Sequence, residues 1–315
     1  MLSRIGNSLF WLGRYLERAE HVARYTKVQY VSSLDAPLVQ SKEFVLESIL
    51  NMTGMYSNYF NKFDALSDDD VLYFVTLSKS NPSSIAACIA YIRENARGAR
   101  DSISSELWEA INRFYHSVNS FTETKFHNEG IFNFSQMIEN NSSVIKGYID
   151  NTLIRNEVWN LIGLGVHIER AAQVNTIILT KLNDIEKHVI KKYESSLENY
   201  QYNTMLKSAE AFDMFKRLYN TNTNRKQSLE FLIFNPKFPK SIAYNLILFQ
   251  KNIQELGFPE NGNIQSLNFW AGKLACNYQY KTIEEVEGDI KEFLKQSLSN
   301  IFELATKLEN KYLKF

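Results

Sequence analysis

The proline spacing of this chain limits its fold more than any other sequence feature. The five prolines are Pro37, Pro82, Pro236, Pro239 and Pro259, so 153 consecutive residues separate Pro82 from Pro236. Glycine is also scarce, with 12 residues in 315. A chain with so few turn formers does not supply the many tight turns of a sandwich, barrel or propeller. The sequence therefore predicts an all-α protein built from long helices.

Two segments carry apolar residues at intervals of four and three positions, which places them on one helix face. The first stripe comprises Ile5, Leu9, Leu12, Leu16, Ala19 and Ala23. The second comprises Ile85, Ile89, Ile92, Ala96, Ala99 and Ile103. Further helices are expected at 42–63, 71–77, 105–126, 130–153, 155–192, 199–220, 226–234, 239–256, 262–280 and 282–313. Asn81-Pro82 is expected to begin a helix, and Thr282-x-x-Glu285 matches a capping box.

The chain also contains an internal repeat. The segment LGRYLERA at 12–19 recurs as LGVHIERA at 164–171, an offset of 152 residues. Asn81-Pro82 is echoed by Asn235-Pro236, in the same order and at a similar offset. Matched segments at a fixed offset indicate a repeated structural unit. The repeat predicts a multi-helix bundle of two duplicated halves, approximately 1–153 and 154–315, packed as a single domain over 1–315.

The charge balance, the length of the apolar runs and the absence of known motifs argue against several classes of function. Lys+Arg and Asp+Glu both number 35, whereas a protein whose partner is nucleic acid usually has a basic excess. No apolar run reaches the length of a membrane span. Arg14, Glu17 and Glu20 interrupt the N-terminal apolar segment, so it is not expected to be a targeting signal, and a cytoplasmic protein is predicted. Neither HExxH nor GxxxxGK[ST] is present, and no metal or cofactor is expected.

Glu17 and Glu169 occupy the same position in the two copies of the repeat, each followed by an arginine. If the halves face each other, two carboxylates in a low-dielectric site would raise the pKa of one of them. A carboxyl group of that kind serves as a general acid or base. The alternative is that Glu17–Arg18 and Glu169–Arg170 form buried structural ion pairs.

A second charged cluster lies in YIRENARGAR at 91–100. Arg93, Arg97 and Arg100 follow an i, i+4, i+7 pattern that places them on one helix face. Three aligned guanidinium groups would bind phosphate or carboxylate through paired hydrogen bonds. The alternative is a charged face exposed to solvent.

These segments resemble the bacterial alpha-E family of all-helical proteins. The resemblance rests on MLSRIGNSLFWLGRYLERAEHVAR, NPSSI, RENAR, SELWEAINRFY, GLGVHIERA and FLIFNPKFPKSI, in that order. Members occur alone or joined to circularly permuted ATP-grasp proteins that resemble amidoligases, often beside transglutaminase-like peptidases. The family's charged residues fall here on Arg14, Glu17, Arg18, Asn95, Arg97, Glu106, Glu169 and Arg170. Val166 stands where the second copy would repeat Arg14.

The resemblance implies a role in the synthesis or processing of a peptide or amide modification. The first hypothesis is an accessory or scaffold protein for an ATP-grasp amidoligase-like protein, with a transglutaminase-like protein as a second partner. Its contact surface would combine the Arg97 stripe with Glu17 and Arg18. The alternative is an enzyme of the same pathway that uses Glu17 or Glu169 as acid or base. Arg97 and its neighbours would then bind an anionic peptide-like or phosphorylated substrate. A purely structural body without a ligand is the third hypothesis.

Overall fold

A computed structural model describes residues 3–34, 41–189, 195–258 and 264–314. Within these ranges the chain forms fourteen α-helices and no strand, which confirms the all-α prediction. The helices are α1 (Ser3–Leu34), α2 (Lys42–Thr53), α3 (Tyr56–Phe60), α4 (Asp68–Thr76), α5 (Ile85–Gly98), α6 (Ser105–Asn119), α7 (Glu123–Thr152), α8 (Glu157–Val189), α9 (Ser195–Ser208), α10 (Phe212–Tyr219), α11 (Arg225–Phe234), α12 (Ile242–Glu255), α13 (Leu267–Gln279) and α14 (Ile290–Leu308). Short turns of 3-10 or π geometry lie at Arg100–Ser102, Ile283–Glu285, Glu287–Asp289 and Glu309–Leu313.

Hydroxyl and amide side chains start most of these helices. Such a side chain accepts a hydrogen bond from an N–H group that has no partner within the first turn. The capping residues are Ser41, Ser67, Ser84, Ser104, Thr122, Asn224, Ser241 and Ser266. The expected helix start at Asn81-Pro82 is wrong, because Asn81 Oδ1 accepts from Ser83 N at 2.9 Å to close a turn, and Ser84 caps α5. The capping box at Thr282 is present, but it opens a 3-10 turn.

Several helices are shorter than the sequence pattern indicates. The segment 199–220 is interrupted after α9, where Glu210 adopts a left-handed conformation with φ 56°. Gly54 (φ 68°) ends α2 inside the expected block 42–63. The expected helix 105–126 is also interrupted after α6. The next helix, α7, begins before the expected start at 130 and is bent at Gly130, whose φ is 75°. The expected end of α8 at 192 and the expected start of α13 at 262 lie outside the described residues.

Residues 15–154 form one compact unit. In it α5 packs against α6 and α6 against α7, while α4 contacts α2, α5 and α7. The core of this unit includes the second predicted stripe, because each of its members is buried. Those residues are Ile85, Ile89, Ile92, Ala96, Ala99 and Ile103.

Residues 1–14 and 155–315 form the other compact unit. Its central helix is α8, which packs most extensively against α12 and also contacts α14, α9 and α11. From the first turns of α1, Leu9, Phe10 and Leu12 are fully buried. The boundary between the two units, after residue 154, lies close to the predicted boundary between the halves. The units differ from the predicted halves because residues 1–14 belong to the same unit as residues 155–315. The duplication and the single domain over 1–315 stay predictions.

Candidate functional site

Two glycines of the repeated motif bring α1 and α8 into backbone contact. A methyl group at Gly13 would collide with the carbonyl oxygen of Ile162 and lie 2.9 Å from the amide nitrogen of Val166. A methyl group at Gly165 would collide with the carbonyl oxygen of Phe10 and lie 3.0 Å from the nitrogen of Arg14. The two sets of contacts are reciprocal at the 152-residue offset. Glycine therefore sets how closely these two helices approach, and this places Arg14 near α8.

Arg14 forms the first cluster with two carboxylates of its unit. Its Nε donates to Glu169 Oε2 at 2.9 Å, and its Nη1 donates to Glu309 Oε1 at 3.2 Å. Gln173 donates from Nε2 to Glu169 Oε1 at 2.9 Å, so hydrogen bonds reach both oxygens of this buried carboxylate. The guanidinium also lies 4.4 Å from the centre of the Trp11 ring. The carboxylate of Glu169 thus receives hydrogen bonds from a buried cation and from an amide donor.

Glu309 forms the partly open edge of the Arg14 cluster. Its side chain is 26 % exposed, and it lies in the turn that follows α14. Burial raises its pKa above the usual value of a glutamate, although the positive charge of Arg14 acts in the opposite direction. Glu309 is therefore the carboxyl group of this cluster that combines access to solvent with a raised proton affinity.

Glu17 lies in a separate cluster, within the unit 15–154. Its side chain is fully buried, and Lys146 Nζ from α7 lies 2.5 Å from Oε1. Lys146 also forms an ion pair with Glu20. His21 Nε2 lies 3.6 Å from Glu17 Oε2, one turn along α1. A lysine from α7 therefore neutralises the carboxylate of the first motif.

The Glu17 cluster continues along α1 and α7 as an alternating row of charges. Arg24 Nη1 donates to Glu20 Oε1 at 3.0 Å, and its Nη2 lies 3.7 Å from Glu139 Oε2. Lys27 Nζ lies 2.6 Å from the other oxygen of Glu139. With Glu17 and Lys146 the row contains three acidic and three basic side chains. The pairs of Lys146 and Glu139 cross from α7 to α1, so sliding of one helix along the other would separate them.

The arginines of the two E-R pairs contact other groups. The guanidinium of Arg18 lies 5.5 Å from the centre of the Tyr15 ring. Arg170 Nη1 donates to the carbonyl oxygen of Pro239 at 3.3 Å, at the loop that precedes α12. These contacts place both arginines at partly exposed positions beside their buried glutamates.

The arginines Arg93, Arg97 and Arg100 form ion pairs or hydrogen bonds with residues of their own compact unit. Arg97 is 67 % exposed, and its Nη2 lies 2.5 Å from Glu94 Oε2. Arg93 Nε donates to Asn112 Oδ1 at 2.8 Å. Arg100 follows the helix and donates to the carbonyl of Ile103 and the hydroxyl of Ser105. This arrangement agrees better with the solvent-exposed alternative than with a three-arginine anion site.

Two further residues of the predicted site lie on the same unit. Asn95 Nδ2 donates to the carbonyl oxygen of Tyr91 at 2.8 Å, within α5. Glu106 is exposed in the first turn of α6, where a carboxylate interacts favourably with the helix dipole. The structure thus brings together Arg14 and Glu169, whereas Glu17 and Glu169 lie in different compact units.

The sequence pattern did not indicate Lys146, Gln173 or Glu309 as members of the clusters. Lys146 and Glu309 are far from their partners along the chain, so no local spacing marks them. The repeat could have indicated Gln173, because it stands 152 residues after His21 and both residues follow a motif glutamate by four positions. Glycines inside a helical pattern also point to a close backbone contact.

Among the described residues, no group of three or more His, Cys, Asp or Glu side chains is placed to hold a metal ion. Over the same residues, each helix is too short or too polar to cross a bilayer.

Fold and site together define an all-helical protein in which a repeated E-R motif lies on two long helices. The chain belongs to the Alpha-E family, described as a predicted alpha-helical domain with a conserved ER motif, and the family model matches residues 1–313. The sequence holds this pair of residues at Glu17-Arg18 and again at Glu169-Arg170.

Curated relatives of the chain include uncharacterised proteins of Mycobacterium bovis and Mycobacterium tuberculosis. Each is 19 % identical over 269 residues, and the match covers 80 % of this chain. The chain spans about 30 % of the length of these relatives. No solved structure matches the chain.

Proposed function

We propose that this chain is an accessory module of a peptide- or amide-modification system, with an ATP-grasp amidoligase-like protein as its partner. The observation that carries the proposal is the burial and charge pairing of the two motif glutamates. Both are buried and each is neutralised by a basic side chain, Glu17 by Lys146 and Glu169 by Arg14. Carboxylates held in this way fix helices in position and do not present an acid or base to a substrate.

The lengths of the relatives support a modular role. The matched segment makes up 30 % of each curated relative, so the equivalent region there is one part of a longer polypeptide. We extend this arrangement to the present chain as association with separate proteins, an ATP-grasp amidoligase-like protein and a transglutaminase-like protein, in the cytoplasm.

The contact surface proposed for the partner lies on the unit 15–154. The rings of Tyr15 and Tyr91 are 4.9 Å apart, and Arg18 lies over Tyr15. Tyr91 is 38 % exposed, and Arg97 lies on the same helix, α5. Tyrosine and arginine side chains are enriched at the centres of protein interfaces, since they combine apolar area with hydrogen-bond donors.

Co-purification with the ATP-grasp protein of the same genome tests this proposal. The double substitution Tyr91→Ala and Arg97→Ala is expected to abolish retention of the partner on the tagged chain, with the thermal midpoint unchanged. Arg113→Ala is the matched control, because Arg113 is 59 % exposed on α6 and pairs with Glu109. Equal retention by both variants, or no retention by the natural chain, would contradict the accessory role.

The alternative function, an enzyme of the same pathway, has one observation in its favour. Glu309 is partly exposed, has a raised pKa and contacts Arg14, which also binds the motif glutamate Glu169. A raised pKa suits a carboxyl group to proton transfer near neutral pH. Under this alternative Glu309→Gln would stop product formation by the assembled system while the partner is still retained.

A further inference from the structure

A polar groove lies between α13 and α14, away from the motif clusters. Residues at intervals of three and four positions on each helix form its walls. They are Trp270, Lys273, Leu274 and Asn277 on α13, and Asn300, Glu303, Leu304 and Lys307 on α14. A second cavity adjoins the first through Trp270 and Lys307 and is also lined by Gln265, Leu267, Asn310 and Lys311. The volumes are about 290 and 660 Å³, within the range of ligand-binding clefts.

The groove carries an excess of positive charge in a protein of zero net charge. Among the described residues that line the groove, the charged ones are Lys273, Lys307 and Lys311, with Glu303 as the single acid. Glu303 lies 2.8 Å from Lys307 Nζ. Lys273 and Lys311 form no ion pair with any of the residues that the structure describes. Two ammonium groups of the groove are therefore available to an anionic ligand.

Two of these lysines lie close to one indole ring. Lys273 Nζ is 5.3 Å and Lys307 Nζ is 5.0 Å from the centre of the Trp270 ring. Cation–π attraction at these distances holds the ammonium groups beside the ring. The buried side chains of Leu274 and Leu304 complete an apolar floor. The groove thus offers an apolar surface bordered by positive charge.

The remaining wall residues indicate what kind of anion fits. Asn277, Asn300, Asn310 and Gln265 present amide groups, which donate and accept hydrogen bonds as a peptide backbone requires. The wall from Asn300 on α14 to Lys311 in the turn that follows it is about 16 Å long at roughly 1.5 Å per residue. At about 3.3 Å per residue an extended peptide of roughly five residues would fill that length.

We propose that this groove binds an extended acidic peptide, with its carboxylates on Lys273 and Lys311 and its backbone on the amide side chains. The proposal goes beyond the accessory role and does not depend on it, because the groove shares no residue with the partner surface on α5. Ammonium groups attract any polyanion, but a chain with equal numbers of basic and acidic residues lacks the basic excess typical of a nucleic-acid-binding protein, which favours a peptide.

Fluorescence anisotropy with labelled hexaglutamate as the probe tests the proposal. The double variant Lys273→Glu and Lys311→Glu is expected to weaken binding by about tenfold or more at low ionic strength. The control is Lys251→Glu with Lys295→Glu, two lysines that do not line the groove, one on α12 and one on α14. It makes the same change in net charge, so it measures the long-range electrostatic contribution, and it should weaken binding several-fold less than the groove variant does. Circular dichroism melts confirm that both variants fold.

Three results would overturn this assignment. The first is absence of hexaglutamate binding to the natural chain at low ionic strength. The second is equal weakening in both double variants, which would show non-specific attraction. The third is equal or tighter binding of a single-stranded RNA hexamer or of a neutral hexaserine peptide. Co-purification of the ATP-grasp protein is measured separately, so failure of the groove and failure of the accessory role give different results.

Discussion

At the scale of single residues, both motif glutamates are buried and need a compensating positive charge, which different residues provide. A carboxylate removed from water needs a cation or several hydrogen bonds, because the desolvation of a charge is costly. Glu169 receives Arg14 and Gln173. Val166 occupies the repeat position of Arg14, and Lys146 from α7 supplies positive charge to Glu17. Both motif segments carry a buried glutamate, but the basic side chain that pairs with it differs.

Removal of Lys146 should therefore be costly. We expect Lys146→Met to lower the free energy of unfolding by about 3 kcal/mol, because it leaves Glu17 and Glu20 without this cation in a buried site. Lys125→Met is the matched control on α7, since Lys125 is 39 % exposed and pairs with exposed Glu129. The control should lose less than about 1 kcal/mol. Urea unfolding followed by circular dichroism measures both, and equal losses would contradict a buried role for Lys146.

The raised pKa of Glu309 predicts a pH dependence. The folded state binds this proton more tightly than the unfolded state, whose glutamate pKa is near 4.5. The natural chain therefore loses stability as the pH rises from below 4.5 through the folded pKa of Glu309. Glu309→Gln cannot titrate, so its stability relative to the natural chain should increase over that window. Urea midpoints across the pH range measure this, with Glu292→Gln as an exposed control, and a constant difference would contradict the prediction.

At the scale of helices, the approach of α1 to α8 depends on Gly13 and Gly165. We expect Gly13→Ala and Gly165→Ala each to cost at least about 2 kcal/mol, because the new methyl group meets backbone atoms that cannot rotate away. Gly147→Ala on α7 is the control, since a methyl group there meets no atom within 4 Å. Alanine favours helix over glycine, so the control should gain up to about 1 kcal/mol. Thermal unfolding distinguishes the three variants, and a stable Gly13→Ala would refute the close contact.

The sequence predicted the helices better than the contacts between them. The stripe from Ile85 to Ile103 is buried as expected, since helical spacing determines which residues share a face. The sequence does not predict the break at Glu210, because glutamate gives no local sign of a left-handed conformation. It also does not predict the Arg14–Glu169 pair, although both residues belong to the repeated motif segments. Sequence spacing places residues on one helix, but it does not give the partner that another helix provides.

At the scale of the whole molecule, the division of the chain does not follow chain order. Residues 1–14 belong to the unit formed by 155–315, whereas the rest of α1 belongs to the unit 15–154. Leu9, Phe10 and Leu12 are fully buried in these first turns. Burial of each such side chain contributes about 2 kcal/mol. Together with the Arg14–Glu169 hydrogen bond they make the N-terminal turns a component of the C-terminal unit.

A chain that lacks residues 1–14 should consequently lose protection against amide hydrogen exchange in the remainder of its unit, residues 155–315. We expect faster exchange in α8, α12 and α14, because removal of Arg14 leaves the buried carboxylate of Glu169 without its cation and exposes the surface that Leu12 covered. The amides of α5, α6 and α7 serve as the internal control, since these helices belong to the unit that begins at Tyr15. Exchange followed by mass spectrometry resolves the two sets. If α5–α7 lost protection as much as α8–α14, the N-terminal turns would support both units equally, and their assignment to the C-terminal unit would be wrong.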